Sequence, residues 1–197
     1  MNRSWVFDSS PLITLGKAGC LDLLAGLQGP VYIPRSVKKE ILAKKPPDLS
    51  SAWLLDKNCP ARMVSASLTA AVLSRDLGAG ETETISYALR HRDCVAVLDD
   101  RKARHCARAM GVQVKGTVGL LLWLKKRGKL DKIKPILASL IRSGFRIDPI
   151  VLKLALKLAG EQGSRLGGEY PPTAQEIPAL YKTGRSKVKA RKRLKPR

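Results

Sequence analysis

Five acidic positions stand out in a chain with few acids: Asp8 after "WVF", Glu40 in "SVKKEIL", Glu81 in "GETET", and the pair Asp99-Asp100 after "CVAVL". Lys and Arg number 37 against 16 Asp and Glu, a net charge of +21. Carboxylates gathered in one place repel, so a cluster of them calls for a cation. An all-oxygen donor set suits a hard divalent ion, Mg2+ or Mn2+. Such ions activate water and steady in-line displacement at a phosphodiester. A basic surface around an acidic, metal-filled pocket is what cleavage of a nucleic acid requires.

Each position has a plainer use as well. Asp8 precedes Ser10-Pro11 and suits a turn or cap. Asp99-Asp100 stands where a helix would take an acidic N-cap. Glu40 lies within about 60° of Val37 on a helical wheel, so it edges the apolar stripe of Val37 and Ile41. There an unpaired carboxylate is costly, although pairing with a lysine on the flank is the alternative. Glu81 precedes Ile85 by one turn, on the stripe continued by Ala88 and Leu89. It also falls in a first turn, where a carboxylate simply complements the dipole. Glu83 is displaced by about 200° from Glu81 and points away.

These residues need elements that bring them together. Strands are expected at "SWVF" (4–7), "VYIP" (31–34), "CVAVL" (94–98) and "VQV" (112–114), with a weak one at "ARMVSA" (61–66). Helical patterns cover 9–19, opening with a Ser cap and Pro11 at the first helical position, and then 35–45, 68–78 and 80–93. Others run from the Asp pair through Met110, then 116–130, 133–144 and 148–161. Residues 46–62 read as loop, with one turn of helix near Trp53. Strands alternating with helices predict a three-layer α/β/α fold on a mainly parallel central sheet. The unbroken apolar run "CVAVL" suits a strand buried on both faces. In such a sheet, functional groups collect beyond the carboxyl ends of the strands, where Asp8 and Asp99-Asp100 fall.

Composition narrows the partners. A pI near 10.3 points to a polyanion, with nucleic acid the usual one. A membrane surface would ask for large apolar anchors, and aromatics are only 5%. No apolar run approaches transmembrane length, and the start of the chain lacks one long enough for a secretion signal. A cytoplasmic location is expected, with Cys20, Cys59, Cys94 and Cys106 as free thiols. One domain over residues 1–161 is expected, followed by a basic, flexible tail over 162–197. That tail carries nine basic residues and no acid in its last 16 positions.

The stretches "VFDSSPLITLGKAGCLDLL", "VYIPRSVKKEI", "LGAGETETISYAL", "CVAVLDDRKARHCARAMGVQVKGTVGLLLWLKKRG" and "FRIDPIVLKLALKLAGE", taken in order, resemble PIN-domain proteins. The nearest likeness is to the prokaryotic subfamily described as predicted nucleic-acid-binding proteins, collinear over residues 4–161. PIN domains are metal-dependent ribonucleases, many of them toxins of VapBC-type toxin–antitoxin pairs. The resemblance implies catalytic acids at Asp8, Glu40, Glu81 and Asp100, holding Mg2+ or Mn2+, with Asp99 a further metal ligand. It also puts Ser10 where the family often has a side chain that bonds the first Asp. The third acid is usually Asp and here is Glu, as in this subfamily, which leaves room for a different metal distance.

From this follows an endoribonuclease that cleaves RNA, with Arg101, Lys102 and Arg104 as candidate phosphate contacts and the basic tail extending the footprint. An antitoxin protein is a partner if the chain is a toxin, and "TVGLLLWL" could serve a homodimer or simply the core. The rival from another class is a non-catalytic, basic nucleic-acid-binding protein with a degenerate PIN fold, its carboxylates serving as caps and ion pairs. A zinc site from His91, Cys94, His105 and Cys106 is disfavoured by their spacing. A phosphoacceptor domain would want its acidic pair after the first strand, where only Asp8 stands.

Overall fold

The computed structural model describes residues 3–161; the tail expected over 162–197 lies outside the described residues. Five strands form one parallel sheet: β1 (Ser4–Phe7), β2 (Val31–Pro34), β3 (Ala61–Val64), β4 (Cys94–Val97) and β5 (Gln113–Lys115). Their spatial order is β3-β2-β1-β4-β5. The chain therefore starts at the centre of the sheet, builds outward through β2 and β3, then returns to the other side of β1 for β4 and β5. That reversal leaves a crevice beyond the carboxyl ends of β1 and β4, the usual binding position in a doubly wound sheet.

The helices are α1 (Ser9–Lys17), α2 (Arg35–Leu42), α3 (Leu49–Leu55), α4 (Ala70–Leu73), α5 (Ala79–Arg90), α6 (Arg101–Ala109), α7 (Thr117–Lys126), α8 (Lys134–Arg142) and α9 (Pro149–Leu158). Strand alternation sorts the core into two layers. Trp5 and Phe7 of β1 and Val95 and Val97 of β4 pack on one side, with Leu12, Leu120, Leu124 and Leu137 from the helices. Val6, Cys94, Ala96 and Leu98 pack on the other, against Ile85, Ala88, Ala103 and Ala107. With side chains buried on both faces, β1 and β4 have no solvent-facing row, which is why they read as continuous apolar runs. The family resemblance and the alternating pattern both anticipate this three-layer arrangement.

Local differences have local causes. The first helix is capped by Asp8, not by a Ser, because Asp8 is extended (φ −79°, ψ 167°) and accepts from the Ser10 amide. The turn expected near Trp53 is a two-turn helix, α3, with Asp48 as its N-cap. The pattern over 68–78 yields only the four-residue α4, and Asp76 then takes a left-handed φ of 51°. Among the described residues no helix is long and apolar enough to cross a membrane.

Candidate active site

Asp8 is the first residue past β1, and its amide still bonds Val97 O (3.1 Å), continuing the β1–β4 pairing. That continuation holds the side chain in the crevice, where it is only 1% exposed. One carboxylate oxygen, Oδ2, accepts from the Ser10 amide at 3.3 Å. The other, Oδ1, is buried with no hydrogen-bond partner. Burial pushes the acid up to about 7, against the Ser9 and Ser10 amides, and the Glu81 and Glu40 charges add to the rise. An orphaned buried carboxylate oxygen is costly and uncommon.

Glu40 lies in the last turn of α2 and is partly buried. Its Oε1 accepts from the Gly80 amide at 2.8 Å. Glu81 occupies the first turn of α5, where its Oε2 accepts from the Gly78 amide at 3.0 Å. Gly78 has no side chain to return the favour, so this is half of a capping box. Burial raises Glu81 despite that bond, the Asp100 and Glu40 charges add to it, and Lys102 offsets part. Asp100 caps α6 through Oδ1, which accepts from the Ala103 amide at 2.7 Å. Four carboxylates from four segments are thus linked electrostatically: Asp8 to Glu40 and Glu81, and Glu81 to Glu40 and Asp100.

The convergence is tightest around Gly80. A Cβ there would lie 2.7 and 2.9 Å from the two Glu40 oxygens and 2.9 Å from Asp8 Oδ1. The Asp8 and Glu40 carboxylates therefore face a common point. Among the described residues, no three His, Cys, Asp or Glu side chains close into a ready-made metal cluster. Each acid is instead held by a backbone amide. The donor set still fits a hard divalent cation, being all oxygen, mutually repelling and furnished with a buried acceptor that nothing satisfies.

Asp99 turns elsewhere. Its Oδ1 accepts from the Thr117 amide (2.7 Å) and its Oδ2 from the Thr117 hydroxyl (2.6 Å). Both oxygens are committed to the start of α7, whose own N-cap, Gly116, has no side chain. Burial raises Asp99, and Thr117 and Arg104 counter it. Adjacent residues leaving a strand point apart, so Asp100 meets the crevice side while Asp99 clamps α7.

Ser10 supports Asp8 through its backbone amide, not through a side-chain bond; its side chain is exposed. Of the three basic candidates, Arg104 is engaged by the Leu98 and Asp99 carbonyls and pins the end of β4. Lys102 donates to Asp76 O (2.9 Å) and Oδ2 (3.0 Å) at the surface, within electrostatic reach of Glu81. Arg101, the first residue of α6, is exposed.

One important acid escaped the sequence reading. Glu83 does point away from Glu81, yet it is 7% exposed, not outward. Its Oε2 accepts from the Ser36 amide (2.9 Å) and hydroxyl (2.5 Å), and its Oε1 from the Ala66 amide (3.1 Å). Burial pushes it up, but bonds from Ser36, Ala66 and Arg35 outweigh that and hold it below the usual range. Glu83 thereby ties α5 to the start of α2, the helix that carries Glu40. The only sequence signal was the run Thr82, Thr84 and Ser86, polar residues that a fully enclosed helix must satisfy internally.

No curated protein and no solved structure matches the sequence. A PIN-domain family model matches residues 4–161, which spans the whole of the fold described above. PIN domains are generally nucleases and typically use divalent metals. By that match, and by a five-stranded parallel sheet with acids at its central crevice, the chain belongs to the PIN-domain family.

Proposed function

We propose that this protein is a metal-dependent endoribonuclease, with Asp8, Glu40, Glu81 and Asp100 as the residues that would hold one or two Mg2+ or Mn2+ ions. The observation that carries the reading is Asp8 Oδ1, buried without a partner at the sheet's crevice beside two further carboxylates. Such an ion, when bound, supplies an activated water and charge stabilisation at the scissile phosphate.

The chain's own residues do the rest. Asp8 and Glu40 are turned toward one point and held there by the Ser10 and Gly80 amides, which presents two of the ligands to a common ion. Glu81, held by the Gly78 amide, brings a further carboxylate to the crevice. Arg101 and Lys102 stand at the rim as phosphate contacts, with Lys102 exchanging Asp76 for an RNA phosphate. Arg104 acts on the site only by fixing the end of β4. Asp99 acts by holding α7, and it falls outside the proposed ligand set.

RNA as the substrate is supported by the charge of +21. A toxin role, with an antitoxin as partner, extends the reading on family likeness. A homodimer is a further proposal of the same standing. The cytoplasm is the compartment that suits RNA as substrate and the free thiols of Cys59, Cys94 and Cys106.

A second reading has its own support: Asp8, Glu81 and Asp100 each accept a backbone amide near a helix start, as caps in a non-catalytic RNA-binding protein do. RNA cleavage in EDTA, Mg2+ or Mn2+, beside an Asp8→Asn/Asp100→Asn variant, separates the two. Metal-dependent cuts that vanish in the variant establish the nuclease. Equal RNA binding by both proteins with no cutting by either supports the binding protein.

A further inference from the structure

Gly80 is the second residue of α5 and is buried. Its φ lies outside the left-handed region, so its backbone conformation makes no demand for glycine. Helix propensity ranks alanine well above glycine at such a position. Some other feature must account for the missing side chain.

The neighbours supply it. The space a Cβ would take is bounded by Glu40 Oε2 at 2.7 Å, Asp8 Oδ1 at 2.9 Å and Glu40 Oε1 at 2.9 Å. All three are shorter than carbon–oxygen contact allows, so something has to move. Asp8 has little freedom, being short, buried and held through Oδ2 by the Ser10 amide. Glu40 ends a flexible side chain on a different helix, and it yields first. Yielding means breaking the 2.8 Å bond from the Gly80 amide, the only hydrogen bond to that carboxylate among the described residues. A methyl group would then cover Asp8 Oδ1, the orphaned acceptor.

We propose that Gly80 is a positioning residue of the metal site: its amide aims Glu40, and its absent side chain keeps open the gap across which Glu40 and Asp8 share a cation. This rests on the metal-dependent reading above. Glycine here sets the separation of two ligands, one just past β1 and one on α2, and α5 packs against both of those elements. The effect operates through Glu40 and needs no contact between Gly80 and substrate.

The test is a double-mutant cycle of Gly80→Ala and Glu40→Ala, read in two ways: Mn2+ affinity by titration calorimetry, and thermal unfolding in EDTA. Gly80→Ala alone should weaken Mn2+ binding at least tenfold, in the range seen when a group that orients a metal ligand is lost. On the Glu40→Ala background the same change should weaken Mn2+ binding much less, because only the contact with Asp8 Oδ1 remains. In EDTA, any drop in Tm caused by Gly80→Ala should likewise shrink or reverse once Glu40 is truncated. If Gly80→Ala fails to fold alone but folds on the Glu40→Ala background, the contact is established by that rescue. Unchanged Mn2+ affinity in Gly80→Ala, or strictly additive effects on Tm, would overturn the proposal. A wild-type protein that takes up no Mn2+ would instead sink the metal-dependent reading, while the cycle in Tm still decides whether Gly80 governs Glu40.

Discussion

Asp8→Asn should make the metal-free protein more stable at pH 8, and the gain should fade toward pH 4. Asp8 ionises near 3.8 when unfolded, whereas in the fold it is pushed up to about 7. Between those values the native state keeps a proton that the unfolded chain has released. Stability therefore falls as pH rises from about 4 to about 7 and levels off above that. A difference of about 3 units at about 1.4 kcal/mol each sets a ceiling near 4 kcal/mol on the cost of the ionised group. Water drawn into the crevice reduces it. Asparagine carries no such charge, can still accept from the Ser10 amide as an N-cap, and turns an amide donor toward the Glu40 and Glu81 carboxylates. For a domain of this size each kcal/mol moves Tm by about 2–4 °C, so a gain of at least about 5 °C at pH 8 is expected. Circular dichroism melts in EDTA across pH 4–8 measure it. Added Mn2+ should reverse the order, raising the wild type and leaving the variant unmoved. Equal or lower stability of Asp8→Asn at pH 8, or a gain that ignores pH, would refute the argument that Asp8 is held against electrostatic cost.

Glu83→Ala should lose about 2–4 kcal/mol in urea unfolding, because the part-buried Ser36 amide and hydroxyl and Ala66 amide are left without their acceptor. Since Glu83 is held below its ordinary value, its contribution is present above about pH 4.5 and is lost as pH falls through the folded value. A loss that stays the same at pH 3 would contradict this. Thr117→Val should cost about 1–3 kcal/mol by removing the hydroxyl that Asp99 Oδ2 accepts from, while leaving Mn2+ affinity within about twofold; a larger drop in metal binding would put Asp99 back among the ligands. Arg101→Ala/Lys102→Ala should weaken RNA binding and reduce the salt dependence of log K by about 1 to 2, one phosphate per lost cation. An unchanged salt slope in filter binding would remove both residues from the RNA surface.

The sequence by itself determined the elements and the placement of most acids on them. A parallel strand buried on both faces must be apolar throughout, so "WVF" and "CVAVL" announced the centre of the sheet and the acids at its carboxyl end. Helical periodicity was enough to lean Glu40 and Glu81 toward the protein, since it depends only on residue spacing. The collinear motifs were enough for the family. Short-range geometry, however, cannot give the order β3-β2-β1-β4-β5, and that order sets Asp8 against the end of β4, with its amide on Val97 O.

Other outcomes turned on neighbours from distant segments. Asp99 and Asp100 are adjacent and identical in type, and only the position of Thr117 makes one of them a clamp for α7. Glu83 looked outward because the wheel of α5 shows one apolar stripe; the structure encloses a second face with Ser36 and Ala66, whose donors then require a buried acceptor. In the sequence Gly80 reads only as the glycine that opens a helix within "GETET". Its meaning is steric, and it exists only once β1, α2 and α5 have brought two carboxylates to the place where its side chain would be.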